Sequence, residues 1–177
     1  MTITAEKGEG RMPLLYPPYF HGSSGMPLFV LDNFRSAFNV GSVFRTAESV
    51  TPAGVILCGI CCRPGNRKLA HTARGTQSSV PWRYFQSLEK ALRWVSGTGR
   101  KIVVVERKAG AVPVFDADLD LSSAFVLGNE ALGVAPEAAD WVHQAVYFPQ
   151  SGRRDCINVS SMAAVVGAEI QRRRLAS

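Results

Sequence analysis

The sequence predicts one α/β domain with a mostly parallel sheet and helices on both faces. Three observations lead there. Apolar runs of strand length, PLFVLD, GVILCGI, KIVVVE, AFVLG and QAVYFP, are bounded by turn-forming residues, as strands covered on both faces are. Helical patterns alternate with these runs, the order from which parallel sheets are built. At 177 residues the chain is long enough for one well-buried core and short for two.

Residues 1–25 contain Pro13, Pro17, Pro18 and the run HGSSG and keep neither period, so they are expected to form an N-terminal extension or arm. The aromatics of YPPYF suit docking on the domain, which is placed at residues 26–177. PLFVLD is the first strand. In NVGSVFRTAESV, Val40, Val43, Phe44 and Ala47 stand at i, i+3, i+4 and i+7 and predict a helix, with Asn39 as an ordinary N-cap. GVILCGI is a second strand. CCRPGNRKLAHTARGTQSSV is a basic connector with room for a short helical turn, and VPWRYF is a short strand. SLEKALRWVSG is a helix with Ser87 as N-cap, Lys90 and Arg93 exposed and Gly97 just past its end.

Between the strands KIVVVE and AFVLG, the stretch RKAGAVPVFDADLDLSS reads mostly as loop. EAADWV predicts a short helix, QAVYFP a strand and NVSSMAAVVGAEIQRRR the final helix. There Val159, Met162, Ala163, Val166 and Ile170 form the apolar stripe. Arg172, Arg173 and Arg174 fall in the last turn, where cations complement the helix dipole. No internal repeat and no low-complexity tract interrupts this order.

Composition narrows the function classes. A 46% apolar and 19% charged chain is an ordinary globular one. Lys plus Arg number 20 against 14 Asp plus Glu, a net charge of +6, and the pI is near 9.5, which suits a polyanionic partner. No run approaches the roughly 18 apolar residues of a membrane span, and the N-terminus lacks a secretory pattern, so a cytoplasmic protein is expected. Cys58, Cys61, Cys62 and Cys156 suit neither a disulfide framework nor a zinc site, and are read as reduced, mostly buried thiols.

Ligands of open α/β sheets bind beyond the carboxyl ends of the strands. Three polar islands fall there: DNFRSAFNVGSVFRTAE, VLGNEALGVAPE and VYFPQSGRRDCINVSS. Singly, each has a plain explanation. Asn39 can cap, Arg45 can pair with Glu48, Glu130 can be a solvated carboxylate, and Asn158 or Ser160 can cap the last helix. Together, at successive strand ends, they point to one site.

The islands resemble the three motifs of the SpoU branch of the SPOUT RNA methyltransferases: N-x-G-x-x-x-R-T-A, L-G-x-E-x-x-G and S-L-N-V-S. This chain supplies NVGSVFRTAE, LGNEALG and CINVS in the same order, and the resemblance runs from about Pro27 to Arg174. It implies a C-terminal trefoil knot, an exception to the usual rule against threading. It also implies an S-adenosylmethionine pocket, a homodimer whose subunits complete each other's site, and no metal. The implied reaction is methyl transfer to a ribose 2′-hydroxyl of transfer or ribosomal RNA.

By the same resemblance Arg45 is the catalytic arginine, with Asn39, Glu130 and Asn158 as polar partners and Ser160 left as the helix cap. Val105, Glu106, Gly128, Phe148 and Ile157 are the expected cofactor contacts. A guanidinium is a poor base, so Arg45 is expected to bind phosphate or the 2′-oxygen and to stabilise alkoxide charge. Arg63, Arg67, Lys68, His71 and Arg74, with Arg153 and Arg154, form the candidate RNA-facing surface. Cys156 stands where the family has the first serine of S-L-N-V-S, and Ala131 stands where the family often has glycine. An RNA-binding protein of the same fold with little activity is the competing expectation. A nucleotide-dependent oxidoreductase is disfavoured, because no G-x-G-x-x-G follows the first strand.

Overall fold

Burial decides which apolar runs become strands. The structure, a computed structural model, describes residues 25–50, 53–153 and 157–176. The predicted arm, except Gly25, and the positions Arg154 and Cys156 lie outside the described residues. Seven strands form one sheet: β1 Leu28–Asp32, β2 Gly54–Cys58, β3 Trp82–Phe85, β4 Ile102–Val105, β5 Val112–Pro113, β6 Ala124–Leu127 and β7 Gln144–Tyr147. Every residue of β1, β2, β4 and β6 is buried, which is why these runs lack polar alternation.

The sheet order is β3-β2-β1-β6-β4-β7-β5, and every pairing is parallel. Successive side chains of a strand point to opposite faces. On β1, Phe29 and Leu31 join the core under α1 (Ala37–Ser49), α2 (Arg67–Ala73) and α4 (Val159–Leu175). Leu28 and Val30 join the second core, under α3 (Leu88–Ser96) and the 3-10 helix Pro136–Trp141. Helices thus cover both faces, as the sequence predicts. The chain runs outward from β1 through β2 to β3, then returns beyond β6 to β4. This reversal leaves a switch point beside β1, the place where such sheets hold ligands.

Several local expectations need correction. Ser36, not Asn39, caps α1: its Oγ accepts from the Asn39 N–H, and Asn39 lies in the first turn. The connector holds a true two-turn helix, α2, capped by Asn66. The predicted loop after β4 contains the two-residue strand β5, and the short helix predicted at EAADWV is the 3-10 helix Pro136–Trp141. Arg172 and Arg173 do more than meet a dipole. Both bond the carboxylate of Glu169, whose side chain is 1% exposed. Arg173 also donates to Ala117 O at 2.8 Å, and Arg174 to Val50 O at 2.7 Å, so the end of α4 is clamped to a loop and to α1.

The first-motif glycine has a packing role. A Cβ on Gly41 would stand 2.8 Å from both Leu69 O and Thr72 Cβ, so glycine lets α1 and α2 approach. Among the described residues no helix is long and apolar enough to cross a membrane.

Candidate active site

The site begins with a carboxylate against a helix start. Glu130, in the loop after β6, accepts from the Arg35 N–H at 2.9 Å, the Ser36 N–H at 3.1 Å and Asn39 Nδ2 at 2.9 Å. These backbone donors lie at the entry to α1, where orphan N–H groups and the dipole favour negative charge. Burial pushes the Glu130 pKa up, but the bonds from Arg35, Asn39 and Ser36 outweigh it and hold the group below the usual glutamate value.

Asn39 extends the contact to the third motif. Its Oδ1 accepts from Asn158 Nδ2 at 3.1 Å. Asn158 in turn caps α4, its Oδ1 accepting from the N–H groups of Ser160 and Ser161. The expectation that Ser160 supplies the cap is therefore corrected: Ser160 Oγ donates to Asn158 Oδ1. Glu130, Asn39 and Asn158 form one chain of bonds across three motifs that are more than 90 residues apart at their extremes.

Beneath this chain the second-motif loop is folded tightly. Asn129 and Gly133 exchange backbone bonds of 2.8 and 2.9 Å, and Asn129 Oδ1 accepts from the Ala131 and Leu132 N–H groups. A Cβ on Gly128 would overlap the backbone of Gly133 and Val134, so no other residue fits. The Glu106 carboxylate accepts from the Val134 N–H at 3.1 Å. Glu106 thus supports this loop through its side chain.

The expected cofactor contacts fall in a row. Register pairs Val105 with Leu127 on one side and with Val146 on the other, so Gly128, Glu106 and Phe148 follow three adjacent strand ends. Phe148 is half-buried and meets Phe115 edge-on at 6.0 Å. Ile157, beside Asn158, is 36% exposed. Adjacent strand ends offering backbone groups, with the aromatic Phe148 following one of them, suit the polar edges and apolar faces of an adenosyl group.

Arg45 stands apart. It is exposed on α1, and among the described residues no hydrogen bond ties it to Asn39, Glu130 or Asn158. Six residues turn a helix through about 600°, so Arg45 points about 120° away from Asn39 around the axis. Arg63, Arg67, Lys68, His71, Arg74 and Arg153 are all exposed, as an anion-facing surface requires. Among the described residues no cluster of His, Cys, Asp and Glu suits a metal ion. Cys61 is a structural thiol: its Sγ accepts from the Phe34 N–H at 3.1 Å and donates to Leu31 O at 3.3 Å, and burial pushes it up to about 12.

Two residues that shape the site escaped the sequence reading. Asp32, 1% exposed, accepts from the Ala135 N–H at 2.9 Å and Asn33 Nδ2 at 2.7 Å, and burial raises its pKa. Asn33, at φ 52°, bonds the Ile60 N–H through Oδ1, and Asn129 Nδ2 donates to Asn33 O at 2.6 Å. An aspartate ending an apolar strand, followed by asparagine, was the available signal.

Known proteins resemble this chain in sequence and in fold. The 23S rRNA (guanosine-2'-O-)-methyltransferase RlmB of Neisseria meningitidis serogroup B is 27% identical over 148 residues, 84% of this chain and 59% of that protein. The tRNA (guanosine(18)-2'-O)-methyltransferase of Escherichia coli is 26% identical over 146 residues, 81% of this chain and 62% of that one. An AdoMet-bound rRNA methyltransferase from Sinorhizobium meliloti superposes with a TM-score of 0.78 at 26% identity, covering 86% of this chain and 58% of that chain. The chain thus spans about three fifths of the length of these relatives. The family model described as SpoU rRNA Methylase matches residues 26–168, which takes in all three motifs and every strand of the sheet, and the chain belongs to that family.

Proposed function

We propose that this protein transfers the methyl group of S-adenosylmethionine to a ribose 2′-hydroxyl of transfer or ribosomal RNA. The observation that carries the reading is the Glu130–Asn39–Asn158 chain, which joins all three motifs at the carboxyl edge of the sheet. The names of the relatives support the same chemistry. When bound, S-adenosylmethionine supplies an electrophilic methyl on a sulfonium centre, so the protein's task is alignment and charge stabilisation.

In this reading Gly128, Val105, Glu106, Phe148 and Ile157 surround the adenosyl group, and Asn39 and Asn158 orient the reacting ribose. Arg45 holds phosphate or the 2′-oxygen and stabilises alkoxide charge, which a permanently charged guanidinium can do and a base need not. Its orientation away from Asn39 supports a homodimer in which Arg45 serves the partner's pocket. A threaded C-terminal segment belongs to the same reading. Basic residues Arg67, Lys68, Arg74, Arg153 and Arg154 contact RNA phosphates.

The test is incubation with methyl-labelled S-adenosylmethionine and total RNA, followed by mapping of the labelled nucleotide. Label in one RNA class at one ribose is expected. No label in any fraction overturns the enzyme reading and leaves an RNA-binding protein of this fold.

A further inference from the structure

The guanidinium of Arg63 lies over the Tyr84 ring, 4.4 Å from its centroid. Tyr84 is half-buried on β3, and its hydroxyl donates to Gly59 O at 3.0 Å, so strand and loop both fix the ring. Arg63 is exposed, so its guanidinium meets the ring and remains accessible to solvent. Arg83 is different: half-buried and within 5.0 Å of both the Phe85 and Trp94 rings, it joins α3 to the edge strand.

The loop that carries Arg63 also presents Ile60, 66% exposed, and is stitched to the active-site loop. Asn33 Oδ1 accepts from the Ile60 N–H at 3.1 Å, and Cys61 Sγ accepts from the Phe34 N–H. The next residue, Arg35, donates its N–H to Glu130. A continuous series of bonds thus places the Arg63–Tyr84 stack beside the Glu130–Asn39–Asn158 chain, on the same edge of the sheet. The segment that carries the stack is basic. Between Glu48 and Glu89 the sequence has no acidic residue, but it has five cations, Arg63, Arg67, Lys68, Arg74 and Arg83.

A lone exposed isoleucine means little. An exposed guanidinium held over an aromatic ring, in a basic loop that also exposes an isoleucine, matches what an unpaired nucleobase requires. Bases splayed from single strands stack on aromatic and arginine planes with little regard to sequence. We infer that Arg63, stacked on Tyr84 and flanked by Ile60, forms a subsite that stacks an unpaired base of the RNA next to the methylated nucleotide. This rests on the RNA reading above. The subsite selects for single-stranded or looped RNA, which phosphate contacts alone do not.

The experiment titrates the full chain with a short single-stranded RNA carrying 2-aminopurine, whose fluorescence falls on stacking, and with the blunt duplex of the same sequence. Arg63→Lys keeps the charge and loses the plane; Arg63→Ala loses both; Ile60→Ser tests the flank. Both positions of change are exposed, and thermal midpoints confirm folding. Quenching by the wild type is expected, with about tenfold weaker single-strand binding in both Arg63 variants, unchanged duplex binding by Arg63→Lys, weaker duplex binding by the charge-losing Arg63→Ala, and unchanged S-adenosylmethionine affinity in both. Wild-type-like binding by Arg63→Lys, or no quenching by the wild type, overturns the subsite. Stacking without methylation of any RNA sustains the subsite and sinks the enzyme reading; methylation indifferent to Arg63→Lys and Ile60→Ser does the reverse.

Discussion

Asn39 Oδ1 accepts a 3.1 Å hydrogen bond from Asn158 Nδ2, although the two residues are 119 positions apart. Glu130 dictates the direction of this bond. A carboxylate only accepts, so Asn39 must turn Nδ2 toward it and Oδ1 toward Asn158. Asn158 must then present Nδ2, leaving its Oδ1 for the N–H groups that open α4. Every donor in the series meets an acceptor, and one charged group orients two amides and two helix starts.

Asn158→Asp separates the two duties of this residue. An aspartate still caps α4 but sets an acceptor against Asn39 Oδ1. Thermal stability should stay within about 0.5 kcal/mol of wild type, while methyl transfer falls at least tenfold. Asn158→Ala should cost about 1 kcal/mol as well, by loss of the cap. Parallel urea melts and rate measurements check both.

Acid should unfold the protein through carboxylates held below their usual values. Glu169, bonded to Arg172 and Arg173, is lowered from 4.5 to about 2. A depressed carboxylate contributes stability that is fully present above 4.5 and is lost as pH falls toward 2. Glu130 acts in the same direction. Glu169→Gln should lose about 2 kcal/mol at neutral pH and show a flatter decline from pH 5 downward, measured by urea midpoints along a pH series.

Two motif glycines should separate packing from cofactor binding. Gly41→Ala gains helix propensity of about 1 kcal/mol but forces α2 away, for a net loss of about 1–2 kcal/mol with S-adenosylmethionine affinity unchanged. Gly128→Ala meets backbone that cannot yield, so stability falls by about 3 kcal/mol and cofactor affinity falls with it. Chemical denaturation and calorimetric titration distinguish the two.

If Arg45 acts in the partner's pocket, two inactive variants should rescue each other. Arg45→Ala mixed with Ile157→Asp, denatured together and refolded, should recover about a quarter of wild-type activity. That is the statistical yield when half the protein forms mixed dimers with one intact site each. Recovery of none would place Arg45 in its own chain's site.

The sheet was legible because its strands are buried on both faces and announce themselves as apolar runs; β1, β2, β4, β6 and β7 all lie where such runs stand. Strand β5 was not legible, since two residues carry no period and pairing alone makes them a strand. The polar islands could be placed at strand ends, yet their bonds could not be read. The Glu130 contact to Asn39 spans 91 residues, and no local spacing encodes it. The same is true of Glu169, an acid in an apolar stripe whose burial depends on arginines one turn away. Ser36 displaced Asn39 as the cap because the tertiary pull of Glu130 on the Arg35 and Ser36 N–H groups starts the helix earlier.

Alkaline digestion of RNA methylated by the purified protein tests the central claim most directly. A 2′-O-methyl group removes the hydroxyl that attacks the adjacent phosphodiester, so the label should remain in an uncleaved dinucleotide, and Arg45→Ala should leave no label while still binding S-adenosylmethionine. Label released in mononucleotides would mean that a base is methylated, and turnover retained by Arg45→Ala would remove the arginine from the chemistry; either result contradicts ribose 2′-O-methylation by this site.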